Sequence, residues 1–313
     1  REEPDLFRRT RRFMLVEDYI TFKLTGQFAT EPSVMCSSLL LNIKQLKWWP
    51  EMLSFLGIGE DNLPRLKRSG EEEGALCADA CRETGLHRNT VVCTGAMDQA
   101  AACVGAGNIR AEIISENTGG ALAVCATTDR PIFDKARRIP CHVHAAQGLY
   151  LPLPWCVTAG MALRWFRDKF CPPEVEVAKR DGMDPYDVIT AEAGRVKPGS
   201  DGLIMLPHLA GAGCPEFNPN ARGVFFGFKL GHTKAHFIRA VLESVAYMLR
   251  RNVEILEQLG ISARQIRSMG GGARSGLWNQ IKSDCLGKPV VTLACGEAAS
   301  LGVAINAAVG LDL

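Results

Sequence analysis

Three stretches of the sequence hold residues whose types and spacing suit binding an anion or removing a proton. In Gly270-Gly271-Gly272-Ala273-Arg274-Ser275, three glycines let the backbone pass close to a bulky group, and Ser275 can cap a following helix. Free N–H groups at such a helix start favour an anion or the edge of a nucleotide. The stretch is neither G-x-G-x-x-G nor a Walker A loop, so a tight structural turn fits the bare pattern equally well. Asn117-Thr118-Gly119-Gly120 stands between two β-type runs, and a hairpin turn explains it without any ligand. The functional alternative is an anion loop made of the Thr118 hydroxyl and the glycine amides. In Gly95-Ala96-Met97-Asp98-Gln99-Ala100-Ala101-Ala102, Asp98 reads first as a helix N-cap. The helix dipole at such a position also keeps a carboxylate ionised, as a base that takes a proton from a hydroxyl must be. The sequence offers no Ser/His/Asp set, no H-E-x-x-H and no paired catalytic carboxylates at an obvious spacing.

The elements that must position these stretches alternate between strand and helix. The pattern predicts strands at Gln265–Met269 and Pro289–Leu293 and helices at Met161–Phe170, Ser275–Leu286 and Ala298–Val309. The longest helix is predicted from an N-cap at Thr233 to a C-terminal Gly260. Its positions Phe237, Val241, Val245, Leu249, Val253 and Leu256 keep the spacing of one buried stripe. Upstream, a helix at Ala78–Thr84 precedes the β-rich run 90–94, and residues 30–70 read as short helices and loops with Trp48, Trp49 and Leu53 as packing residues. Residues 172–187 read as a Pro- and Asp-rich connection, and Pro207–Gly223 as a long loop. Strands alternating with helices of this length argue for an α/β fold.

A chain of 313 residues is long enough for two domains of roughly 100–200 residues each. Lys+Arg 36 against Asp+Glu 34 leaves a net charge of +2, which gives no reason to expect nucleic acid or an anionic membrane as a partner. No apolar run reaches the roughly 18 residues of a membrane-spanning helix, and Arg1-Glu2-Glu3-Pro4 carries no apolar signal-peptide core. The 12 cysteines mostly sit in apolar runs, so they are read as reduced, buried small hydrophobes of a cytoplasmic protein rather than a disulfide framework. Neither Cys77/Cys81 nor Cys141-His142-Val143-His144 supplies enough ligands for a metal site, and none is expected.

On these motifs the sequence resembles the FGGY carbohydrate kinases, which phosphorylate sugars and polyols with ATP. Gly270–Gly272 with Ala273-Arg274-Ser275-Gly276-Leu277-Trp278-Asn279-Gln280 is similar to the family's second signature, which lines the adenosine site. Asn117-Thr118-Gly119-Gly120 resembles its second phosphate loop, with Asn117 where the family has glycine. Gly95–Ala102 resembles the segment G-x-x-D-Q/N-A-A, whose Asp is the family's base. Thr158-Ala159-Gly160-Met161 through Trp165 resembles a nucleotide-lining turn, and Pro207–Gly223 the family's P-x-L-x-G…A-R-G stretch. The similarity is greatest to the xylulokinase-like branch, which acts on pentuloses and related ketoses.

The resemblance implies an actin-like, ribonuclease H-like α/β fold with ATP and sugar meeting between two domains. Residues 1–108 would then be the back part of the sugar-side domain and 109–313 most of the ATP-side domain. Asp98 becomes the catalytic base and Gln99 a sugar contact. Thr118, Gly119 and Gly120 fall to the β/γ-phosphates, and Gly160, Gly271, Gly272 and Ser275 to the adenosine end, with Mg2+ accompanying ATP. A small sugar is the implied partner, and a homodimer the implied assembly. The family's first phosphate loop, Asp-x-Gly-Thr, does not occur in these residues. The expectation is therefore a fragment or a truncated product of a longer kinase, or alternatively a nucleotide-binding module without turnover of its own.

Overall fold

The computed structural model describes residues 2–313. Its centre is a five-stranded mixed sheet in the order Trp155–Cys156, Leu122–Ala126, Glu112–Thr118, Ala263–Met269, Val290–Thr292. The first three strands are antiparallel neighbours, and the last three are parallel. Strand Glu112–Thr118 and strand Leu122–Ala126 form the hairpin whose turn is Gly119-Gly120-Ala121. Against the sheet lies the helix Lys234–Gln258, with Thr233 at its N-cap. Val241, Val245, Leu249, Val253 and Leu256 of its apolar stripe are buried, and Phe237 packs at the edge of the same core. Burying side chains of this size stabilises the fold by about 1.5–3 kcal/mol each. The stripe shares one core with Ile114, Leu122, Val124 and Ile266 of the sheet.

The earlier part of the chain is built from short pieces around Met35, Cys36, Leu41, Trp48, Leu53 and Leu63. Trp49, expected to pack beside Trp48, is exposed instead. Lys47–Trp48 is a strand, so successive side chains leave on opposite sides and only Trp48 points inward. Helix Ala78–Thr84 forms at the residues expected.

Residues 172–187 are not a connection. They fold as two helices, Pro172–Asp181 and Pro185–Ala193, each with proline in its first turn. There proline lacks only an N–H that has no partner in the helix, so it starts a helix rather than breaking one. The final helix, Ala298–Gly310, packs on the helix Asp98–Gly105 through glycine. A Cβ at Gly302 would stand 1.8 Å from the Ala101 carbonyl oxygen, so no larger residue permits this approach.

Six of the twelve cysteines are buried, Cys125 among them, while Cys93 of the apolar run 91–93 is half-buried and Cys295 is exposed, so the burial expected of them holds for half. His144 is a satisfied core histidine: its Nε2 lies 3.0 Å from the Asn108 carbonyl oxygen, and its Nδ1 accepts from the Ala146 N–H. No helix among the described residues is long and apolar enough to cross a membrane.

Candidate active site

Glu112–Thr118 and Ala263–Met269 run parallel and end together, and a cleft of about 430 Å³ opens just past their carboxyl ends. Open α/β sheets bind ligands at this edge. Thr118, Gly119, Gly120, Gly160, Gly271, Gly272 and Ser275 all line this one cleft.

Backbone contacts build its floor. Ala159 N–H donates to Gly120 O at 2.8 Å, Gly160 N–H to Gly119 O at 3.0 Å, and Met161 N–H to Gly120 O at 3.1 Å. These bonds seat the first turn of helix Gly160–Phe170 on the hairpin turn. A Cβ at Gly160 would lie 2.3 Å from Gly119 O, so glycine is what allows the contact. The opposite edge is the short turn Gly271–Arg274, followed by helix Gly276–Leu286. Ser275 caps that helix by accepting from Trp278 N–H at 3.3 Å. The Trp278 indole donates to Leu242 O at 3.0 Å, anchoring the cleft wall to the long helix.

The third wall combines Arg164, within the Thr158–Trp165 segment expected to line a nucleotide, with residues no motif pointed to: Tyr186, Asp187 and Thr190 of the helix starting at Pro185, and Asp184, its N-cap. Asp184 caps this helix by accepting from Tyr186 N–H at 2.8 Å, and the Arg167 guanidinium lies 4.7 Å from the Tyr186 ring centre. The signal was present as Asp184-Pro185, an N-cap residue followed by proline at N1.

Asp98 is not the N-cap of its helix; Met97 holds that place and Asp98 is the first helical residue. Its carboxylate is exposed and accepts from the Gln99 N–H at 2.6 Å and the Gln99 side-chain amide at 3.3 Å. The helix start is tied back through Met97 N–H to Ser33 Oγ at 2.9 Å, and Ser33 Oγ donates to Glu31 at 2.6 Å. Burial pushes the Glu31 carboxyl above its ordinary range, although Ser33, Ser69 and Val34 all donate to it. The Gln99 side-chain oxygen accepts from Asn117 Nδ2 at 3.4 Å. Asp98 and Gln99 thus sit beside the strand that ends in the cleft's hairpin turn.

The Thr118 hydroxyl is not turned to the cleft. It donates to Glu116 Oε2 at 2.6 Å and accepts from Lys282 Nζ at 3.0 Å, both partners being fully buried. Gly119 N–H donates to Ala121 O at 3.0 Å. Neither the Thr118 hydroxyl nor the Gly119 N–H is therefore free for the anion loop expected of them.

A mixed α/β sheet with a cleft past the carboxyl ends of its parallel strands fits an actin-like, ribonuclease H-like fold. The solved structure of a xylulose kinase from Rhodospirillum rubrum matches 98% of this chain and 60% of its own, with a TM-score of 0.86 and 29% identity. Residues 1–105 match the N-terminal domain, and residues 115–311 the C-terminal domain, of the FGGY family of carbohydrate kinases. The chain belongs to that family. The gluconokinase of Bacillus subtilis is 33% identical over 97% of this chain and 59% of its own length. The xylulose kinase of the same organism is 28% identical over 98% and 60%. The chain thus spans about 60% of the length of the curated relatives it matches.

Proposed function

We propose that the protein phosphorylates a small sugar with ATP, the adenosine and phosphates lying in the 430 Å³ cleft. The observation that carries this reading is convergence: seven residues from three separated stretches line one wall system, and Asn117 joins it to Gln99 next to Asp98. Residues 1–108 would present the sugar side and 109–313 the ATP side. Relatives named xylulose kinase and gluconokinase make a ketose such as xylulose, or a related sugar, the acceptor to test first.

In this reading Asp98 takes the proton from a primary hydroxyl as that oxygen attacks the γ-phosphorus in line. Gly119 and Gly120 border the phosphates, and Gly160, Gly271, Gly272 and Ser275 the adenosine end. Catalysis of this kind is mostly positioning and charge neutralisation. Among the described residues no cluster of three His, Cys, Asp or Glu side chains could hold a metal ion. Mg2+ would enter with the nucleotide, neutralising the charge of its phosphates.

The test is ATP-dependent phosphorylation of a panel of ketoses and sugar acids, by this chain and by a longer form that adds the family's first phosphate loop. Transfer is expected in the longer form, and Asp98→Asn should lower it by about 10²–10⁴-fold, the usual contribution of a general base, while ADP affinity is kept. No transfer by either form, with ADP still bound, would favour a binding module instead. An Asp98→Asn enzyme close to wild type would remove the base assignment.

A further inference from the structure

Beneath the cleft lies a charged cluster that none of the site's motifs accounts for. Lys282 and Glu116 are both fully buried and paired, Nζ to Oε1, at 2.6 Å. The ammonium also reaches Thr118 Oγ1 at 3.0 Å and Ser268 Oγ at 3.5 Å, so its three donors meet three acceptors. Glu116 in turn accepts from the Thr118 hydroxyl through one oxygen and from the Ser268 hydroxyl through the other. The cluster is complete within itself and offers nothing to solvent.

Its members come from three elements that each carry one edge of the cleft. Glu116 and Thr118 lie on the strand that turns at Gly119. Ser268, whose Cα pairs with that of Glu116, lies on the strand that runs into Gly270–Gly272. Lys282 lies on the helix that Ser275 caps. One ammonium group therefore ties together the hairpin turn, the glycine turn and the capped helix.

Stability alone is a poor reason for such a pair, because replacing a buried ion pair by apolar residues of similar volume is often neutral or stabilising. What the pair adds is position: the 2.6 Å ion pair, with the bonds to Thr118 and Ser268, sets the spacing of the hairpin turn, the glycine turn and the capped helix. We propose that Glu116 and Lys282 are positioning residues, holding the cleft in the geometry that receives the nucleotide through the inward-facing Thr118 hydroxyl. The proposal rests on reading the cleft as a nucleotide site.

The test pairs ADP titration calorimetry with thermal unfolding, on the parent, Lys282→Met, Glu116→Leu with Lys282→Met, Thr118→Val, and the triple combination. Lys282→Met alone should lose both stability and affinity, since it leaves Glu116 buried and unpaired. The Glu116→Leu, Lys282→Met protein should recover the parent's thermal stability yet bind ADP roughly tenfold more weakly. Thr118→Val should weaken ADP binding in the parent and add nothing in the apolar-pair background, because the hydroxyl acts through the pair.

ADP affinity within about twofold of the parent in the apolar-pair protein would overturn the positioning role, as would an undiminished Thr118→Val effect there. If the apolar pair fails to fold, Thr118→Val alone decides: unchanged affinity overturns the role. A parent that binds no ADP refutes the nucleotide reading itself, and the proposal with it.

Discussion

Gly271 offers a test of what the cleft is kept open for. The residue lies in the short turn Gly271–Arg274, lines the cleft and is exposed. It is not among the left-handed glycines, and a Cβ built on it meets no protein atom within 4 Å. Nothing in the fold therefore requires glycine here. Gly271→Ala should leave stability unchanged or raise it by about 0.4–1 kcal/mol, because alanine narrows only the unfolded ensemble. If the ligand's backbone passes over this turn, the added methyl occupies ligand space, and overpacking of that size costs about 1–3 kcal/mol. Such a loss corresponds to roughly 5–150-fold weaker binding. Gly160→Ala is the contrasting case, since its Cβ would stand 2.3 Å from Gly119 O and the hairpin turn would have to retreat. That variant should lose stability as well as affinity. Calorimetric titration with ADP and thermal melting of the two proteins separate the cases. Undiminished ADP affinity in Gly271→Ala would mean that the ligand does not cross this turn, and a fall in its melting temperature would mean that the turn needs glycine for itself.

Two predictions concern stability away from the cleft. Burial raises the Asp18 carboxyl from 3.8 to about 6, so the folded state favours the protonated form and stability is lost as pH rises between those values. Asp18→Asn should therefore stabilise the protein at pH 7–8 by up to about 3 kcal/mol, with the gain fading below about pH 4; urea unfolding showing the same gain at both ends would contradict this. Glu243 is buried, pairs with Arg239 at 2.7 Å and accepts from Gly199 N–H and the Ser200 hydroxyl. Removing its carboxylate in Glu243→Ala strands a buried guanidinium and should cost about 3–5 kcal/mol in chemical denaturation; a loss below about 1 kcal/mol would show that water relieves Arg239.

The long helix was legible because its evidence is repeated. Its stripe recurs every three or four residues from Phe237 to Leu256, and a pattern repeated that often leaves one solution. The helices at 172–193 were not, because their only strong markers are prolines, which mean opposite things at a helix start and inside one. Asp98 moved from N-cap to first helical residue for a similar reason: the Met97 N–H is satisfied by Ser33, 64 positions away, and no local pattern carries that contact. Close approach of the protein's own atoms occurs at Gly160, against Gly119 O, and at Gly272, against Thr118, whereas nothing comes near Gly271. Those contacts depend on folding residues far apart in the chain onto one edge, which no local pattern carries.

Asn117-Thr118-Gly119-Gly120 folds as a hairpin turn, and the strand before it shows why a hairpin and a ligand loop are compatible. Side chains along Glu112–Thr118 alternate between faces. Ile114, Glu116 and Thr118 face the core and Lys282, while Ser115 and Asn117 face the Asp98 helix, through Cys103 and Gln99 respectively. One face thus sets the floor of the cleft and the other touches the helix that carries the carboxylate. A register slip of one residue would exchange the two faces, burying Asn117 where Glu116 meets Lys282. The antiparallel partner Leu122–Ala126 prevents that slip, because Leu122 and Val124 must point into the same core as Ile114. The hairpin is therefore what holds Glu116 and Thr118 against Lys282, and Asn117 against Gln99, in a single register.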